Sequence, residues 1–188
     1  MLKRQLVKEN IAKYIDLTEE EFDYFYGLLE IRNYGKKEVV HAIGQVCQWA
    51  YLILEGSIRY FHLVDGEEKS GQFFFEGAWY SDYDSFLFGT PSLQTIQAVE
   101  KTQAARLSKE SLHQLYQQVP KFEKFGRLMA ENAFIGIRKR TESLTHLSAT
   151  ERYLDLMRNR PKVIQRIPQK YIASYLDIQP QSLSRIKK

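Results

Sequence analysis

The stretch from residue 169 to residue 188, QKYIASYLDIQPQSLSRIKK, decides how this chain is read, because its apolar residues fall at the spacing of two short helices joined by a tight turn. Pro168 can stand at a helix start, where its missing N–H costs nothing. Tyr171, Ile172, Tyr175 and Leu176 then recur at the i, i+1, i+4, i+5 spacing of one buried face. Ala173 is small where a crossing helix must come close. Asp177 ends the first helix at a place that often needs positive φ, which Asp tolerates better than most residues but worse than Gly. Pro180 opens the second helix, Leu183 and Ile186 point inward, and Gln181, Ser182, Ser184, Arg185 and Lys188 stay outside. The pattern predicts a helix-turn-helix.

The outward face carries the residue types that read major-groove edges. A guanidinium can pair bidentately with guanine and an amide with adenine, while hydroxyls and lysines can hold phosphates. Gln181, Ser182, Ser184, Arg185 and Lys188, with Lys170 on the first helix, are therefore the expected DNA-contacting residues. On local pattern alone a two-helix terminus with a solvated polar face remains open, and the charge distribution weighs against it. Residues 121–188 hold 15 Lys and Arg against 6 Asp and Glu, whereas residues 1–120 hold 12 against 17. A basic half that coincides with the helix-turn-helix is the electrostatic footprint of a DNA-binding module attached to a domain with another job.

The 188 residues, 44% of them hydrophobic, suffice for one large domain or two small ones with a buried core. No run approaches the roughly eighteen apolar residues of a membrane span, and Met1-Leu2-Lys3-Arg4 leads into an amphipathic segment rather than the apolar region of a signal peptide. A cytoplasmic protein without membrane contact is expected. The single cysteine, Cys47, excludes an internal disulfide and reads as a small core residue. His41, His62, His113 and His146 lie far apart without metal-ligand spacing, and no Gly-rich phosphate loop, nucleophile elbow or Cys–His pairing is legible. Neither an enzyme nor a metal site is expected, and no cofactor is evident.

Along the chain, Leu2, Leu6, Ile11 and Ile15 are spaced for one helical face, and Thr18 with Glu21 forms a capping-box pattern before Phe22, Phe25, Leu28 and Leu29. From Ile31 to Leu107 the sequence breaks into short runs rich in β-branched and aromatic residues punctuated by glycines. The clearest strands are 50–54, 58–64, 72–75, 94–99 and 104–107, with Asp65-Gly66 as a hairpin signal. Ser108 can cap a helix to about Gln118, and residues 121–147 read as one long helix without an internal proline. Its stripe of Phe122, Phe125, Leu128, Met129, Asn132, Ile135 and Leu144 needs a packing partner, and a second copy is the natural candidate. Phe125, Leu128, Asn132 and Ile135 are the expected dimer interface. Ser148 or Thr150 then caps a helix over 149–160.

The fold class that emerges is α+β: an N-terminal antiparallel β jelly-roll barrel, a long dimerisation helix and a C-terminal helix-turn-helix. The expected divisions are 1–119 for a sensor domain, 120–147 for the dimerisation helix and 148–188 for the DNA-binding module. The order of these parts resembles the CRP/FNR superfamily of transcription regulators over nearly the whole chain. Leu52-Ile53-Leu54-Glu55-Gly56-Ser57-Ile58 resembles the family's barrel signature, and Phe73-Phe74-Phe75-Glu76-Gly77-Ala78-Trp79 resembles the entry to its ligand cassette. The resemblance implies a cyclic-nucleotide-binding-type barrel and a winged helix-turn-helix acting on promoters as a homodimer, with double-stranded DNA and RNA polymerase as partners and a small-molecule effector in the barrel. It places Gln181, Ser182 and Arg185 at base- and phosphate-contacting positions. Pro180 departs from a position often polar or basic in the family. The sequence stops within or just after the second helix, so the wing is expected to be absent or truncated.

The cassette departs further. Cyclic-nucleotide binders of this family use a glutamate for the ribose and, about ten residues on, an arginine for the phosphate. Here Asp82 lies near the acidic position, Ser92 lies about where the arginine would be, and no Lys or Arg occurs between Ser70 and Glu100. A buried phosphate needs a charge partner or a ring of donors. Cyclic AMP is therefore not expected to bind unless Arg59, Lys69 or Arg106 reaches the site. Trp79, Tyr80, Ser81, Asp82, Tyr83 and Ser92 are the expected pocket residues, the aromatic ones together with Phe86 and Phe88 offering an apolar lining. The alternative function is a barrel-based small-molecule or partner-binding protein that does not bind DNA.

Overall fold

A computed structural model describes residues 2–187. Two helices come first, α1 (Leu2–Ile11) and α2 (Glu19–Gly27), followed by β1 (Glu30–Tyr34), β2 (Val39–His41), β3 (Trp49–Glu55), β4 (Ser57–Val64), β5 (Glu67–Phe75) and β6 (Trp79–Tyr80). A short helix α3 (Tyr83–Phe88) precedes β7 (Thr95–Ala98) and β8 (Thr102–Ser108). The remainder is helical: α4 (Lys109–Gln118), α5 (Lys121–His146), α6 (Ala149–Asn159), α7 (Pro161–Arg166), α8 (Gln169–Tyr175) and α9 (Pro180–Ile186).

The strands form two four-stranded sheets, ordered β1-β8-β3-β6 and β2-β7-β4-β5, which build the antiparallel jelly-roll sandwich that the strand spacing predicted. Gly56 makes the break between β3 and β4. Its φ of +86° lies in the left-handed region, and a Cβ there would stand 2.4 Å from the Lys101 carbonyl oxygen, so both conformation and space demand glycine. Asp65 and Gly66 both take positive φ, 51° and 79°, as a two-residue hairpin turn between right-twisted strands requires.

The chain divides into two compact units: residues 1–58 with 74–132, and residues 59–73 with 133–188. This partition differs from the expected one, because the β4–β5 hairpin groups with the C-terminal helices and α5 is shared between the units. In the first unit the core gathers Val7, Ile11, Phe22, Phe25, Leu52, Leu107, Leu115 and Phe122. The capping box of α2 is complete, with Thr18 Oγ1 accepting from the Glu21 amide and the Glu21 carboxylate accepting from the Thr18 amide. Buried Asn10 ties α1 to the strands by donating to the Gly77 carbonyl at 2.8 Å and accepting from the Trp79 indole at 2.8 Å.

Candidate nucleic-acid interface

The second unit builds the helix-turn-helix from the residues expected to make it. Tyr171, Ile172, Ala173, Tyr175 and Leu176 are buried on α8, and Leu183 is buried on α9. Asp177 turns the chain with a φ of 53°. The amides of Asp177 and Ile178 donate back to the carbonyls of Ser174 and Ala173 at 3.1 and 3.0 Å, closing the end of α8. Gln181, Ser184 and Arg185 are exposed on one face of α9, Ser182 is half-buried beside them, and Lys170 is exposed on α8. Lys188 lies outside the described residues.

Two arginines hold the end of α8 and a third holds the hairpin, and no local sequence pattern announces them. Arg140 of α5 donates to the Tyr175 carbonyl and lies over the Tyr175 ring at 3.8 Å. Arg152 of α6 donates to the Leu176 carbonyl at 2.9 and 3.2 Å and to the Leu147 carbonyl at 2.6 Å. Cations at a helix C-terminus satisfy carbonyls that have no intrahelical partner and complement the helix dipole. Arg160 reaches the hairpin, donating to the Gln72 side chain and to the Phe73 carbonyl at 2.6 Å.

In the first unit, the six expected pocket residues separate into two groups. Ser81, Asp82 and Ser92 are buried together. Ser92 donates to the Asp82 carboxylate and accepts from the Gln94 amide at 3.2 Å, while Asp82 caps α3 through the Ser85 amide at 3.5 Å. Ser81 donates to the Trp49 carbonyl at 3.0 Å. Trp79 points instead into the core, edge-on to Phe125, Tyr80 stacks on Phe74, and Tyr83 is half-buried with the pKa of its hydroxyl pushed up to about 12 by burial. Phe88, expected to line an apolar pocket, is 76% exposed, because α3 ends at Gly89 and turns it outward. The three cations that could have served a phosphate are held elsewhere: Arg59 by Glu68, Lys69 by Asp177 and Arg106 by Glu30.

Residues 31–119 match the cyclic nucleotide-binding domain family. No curated protein sequence matches the chain. Among solved structures, FixK2 from Bradyrhizobium japonicum superposes with a TM-score of 0.72 at 16% identity, covering 85% of this chain and 82% of that one. The c-di-GMP-responsive global regulator CLP from Xanthomonas campestris superposes with a TM-score of 0.72 at 17% identity, covering 90% of this chain and 89% of its own. A CooA variant from Carboxydothermus hydrogenoformans gives 0.70 at 12% identity over 95% of this chain and 81% of that one. The chain has the CRP/FNR fold.

Within the CRP/FNR fold, the long helix α5 needs one correction to the expected interface. Phe125 is 5% exposed and packs against Tyr14, Trp79 and Phe122 of its own unit, so it is taken up by the core and is not free for a second copy. Leu128 is half-buried, and Asn132 and Ile135 are exposed. The exposed apolar side chains of α5 include Phe134 at 67%, Ile137 at 64% and Leu144 at 41%. Phe134, Ile137, Thr141 and Leu144 follow the alternating three- and four-residue spacing of a coiled-coil seam. Phe134 and Ile137 stand outside the stripe read from the sequence, whose strongest periodic signal comes from phenylalanines that serve the core.

Proposed function

We propose that this protein is a homodimeric transcription regulator that reads an inverted-repeat DNA site through α9, under the control of an effector in the barrel that is not cyclic AMP. The observation that carries the reading is the polar face of α9: Gln181, Ser184 and Arg185 exposed together while Leu183 anchors the helix from behind. A guanidinium and an amide one helical turn apart are the groups that contact base edges when such a helix enters the major groove. The CRP/FNR fold supports the same reading, since FixK2 and CLP superpose over most of both chains. RNA polymerase is the protein partner a promoter-bound regulator would meet, and the cytoplasm is where it would act. Among the described residues no helix is long and apolar enough to cross a membrane.

A second copy fits the exposed seam of α5. Phe134, Ile137, Thr141 and Leu144 would form the contact, whereas Leu128, Asn132 and Ile135, named from the sequence, fall on the opposite face of α5, and two-fold symmetry would place the reading helices about 34 Å apart, one turn of duplex. The competing reading is a barrel that binds a small molecule or partner without DNA. Selection from a random duplex library, followed by anisotropy titration across salt, separates the two. A regulator enriches an inverted repeat and loses affinity steeply with salt as counterions are released. Enrichment of no motif, with no salt-dependent binding to any duplex, would favour the competing reading.

A further inference from the structure

Arg59 is among the largest fully buried side chains of the described residues, at 0% exposure. A guanidinium out of water must be paired and hydrogen-bonded, or the cost of its desolvation is uncompensated. Here it donates to the Glu68 carboxylate and to Ser70 Oγ at 3.2 Å, with its planar group 4.2 Å from the Phe61 ring centre on β4 and 3.6 Å from that of Tyr171 on α8. Phe61, Glu68 and Ser70 all belong to the β4–β5 hairpin, so the charge is paired within the hairpin itself. Tyr171 supplies an additional ring from the first helix of the DNA-reading motif. Removing α8 would wet the guanidinium without leaving it unpaired, which is the property of a contact that can open.

A second contact joins the same two elements through backbone. β5 is an edge strand of its sheet, with polar backbone groups that no further strand pairs. Ser174 of α8 meets two of them with one hydroxyl, accepting from the Ser70 amide at 2.9 Å and donating to the Glu68 carbonyl at 2.8 Å. Phe73 packs on Tyr175 with ring centres 5.4 Å apart, and Lys69 faces Asp177 in the turn at 3.6 Å. The side of α8 that meets the hairpin thus runs from Tyr171 through Ser174 to Tyr175, while Gln181, Ser184 and Arg185 on α9 stay exposed.

We propose that the hairpin and α8 are closed into one piece by Arg59 and Ser174, and that this clasp fixes the orientation in which α9 is presented to DNA. Arg59 is then a positioning residue that touches no nucleotide. The hairpin strands run without a break into Ser57 and Phe75, so a displacement of those strand ends reaches the reading helix through the clasp. Closing it orders the module before DNA arrives, and binding then costs less conformational entropy. The role rests on the proposed DNA reading, but the clasp itself can be measured without DNA.

The test uses the full chain with Arg59→Met, which keeps length and removes the charge, and Ser174→Ala, a small change that keeps the fold accessible should the first variant fold poorly. Amide hydrogen exchange without DNA comes first. Both variants should exchange faster at the Ser70 amide and along α8 together; exchange unchanged in both would show that no clasp is being broken. The duplex motif selected by the wild type, and a scrambled duplex, are then titrated across salt. Affinity for the selected motif should fall at least tenfold, while affinity for the scrambled duplex and the salt slope stay the same, because every phosphate-facing cation is still in place. Faster exchange with undiminished affinity for the motif would overturn the positioning role. If the wild type selects no motif, the DNA reading fails and takes the positioning role with it, whereas the exchange result still decides whether the clasp exists.

Discussion

Arg185 and Lys170 are both exposed cations of the motif, and the proposed function gives them different work. Arg185 lies on the face of α9 that holds Gln181, opposite buried Leu183, whereas Lys170 sits at the start of α8 with its Nζ 4.8 Å from the Tyr171 ring centre. Arg185→Ala should cost about 1–3 kcal/mol at the selected site and relax base choice at one position per half-site. Lys170→Ala should weaken all duplexes alike and reduce the salt slope by about one for each phosphate left without its lysine. Identical selected motifs for wild type and Arg185→Ala would remove Arg185 from base reading.

A second residue carries a pH prediction. His41 is buried with Nε2 lacking a hydrogen-bond partner, and burial holds its pKa below the ordinary value against the opposing pull of Asp82. With the folded pKa depressed, the unfolded chain binds the extra proton. The contribution is therefore complete above the unfolded value of about 6.5 and is lost as pH falls through the folded one, at no more than about 1.4 kcal/mol per pH unit. His41→Gln should flatten this part of the profile in denaturant melts; an unchanged slope would assign the acid sensitivity to other groups. Asp177, Leu183 and the α9 face were legible in sequence because local turn chemistry and period fix them. Arg59 was not, since an arginine beside Tyr60 and Phe61 reads as a surface cation until the folded hairpin brings Glu68 and Ser70 to it.

Among the elements, α5 buries its first turns and exposes apolar side chains further along. Phe122 and Phe125 are buried in the core of the first unit, while Phe134 and Ile137 remain exposed further along the same helix. Phe125→Ala should cost about 3–5 kcal/mol of unfolding free energy through the cavity it leaves. Ile137→Asp should change the stability of the isolated chain by about 0.5 kcal/mol or less and yet weaken the dimer, since a charge would enter the seam unpaired. Denaturant melts and light scattering read the two effects separately, and a dimer indifferent to Ile137→Asp would place the two-fold contact elsewhere. The helix starts at Thr18, Ser108 and Ser148 were readable because each cap is a local pattern, and all three accept the expected backbone hydrogen bond. β1 was not anticipated as a strand, because four of its five residues are exposed and leave no alternation to read. β6, α3 and α7 were too short for a period to develop.

For the molecule as a whole, the proposed function turns on a barrel that does not take cyclic AMP. Asp82 and Ser92 are buried and bonded to each other, and Arg59, Lys69 and Arg106 are engaged by Glu68, Asp177 and Glu30. Bringing a cyclic phosphate to Ser92 would set a second anion beside the Asp82 carboxylate with no cation to offset it, in surroundings where charges are poorly screened. A ligand that binds only the folded protein raises its stability by RT ln(1 + [L]/Kd), so a micromolar binder at about 1 mM would add roughly 4.1 kcal/mol. Thermal melts with about 1 mM cyclic AMP should therefore leave the midpoint where it is. Ser92→Arg alone should not create binding, because the new guanidinium would pair with Asp82 before it met a ligand. A clear upward shift of the wild-type midpoint would mean that one of Arg59, Lys69 or Arg106 leaves its partner to reach the phosphate.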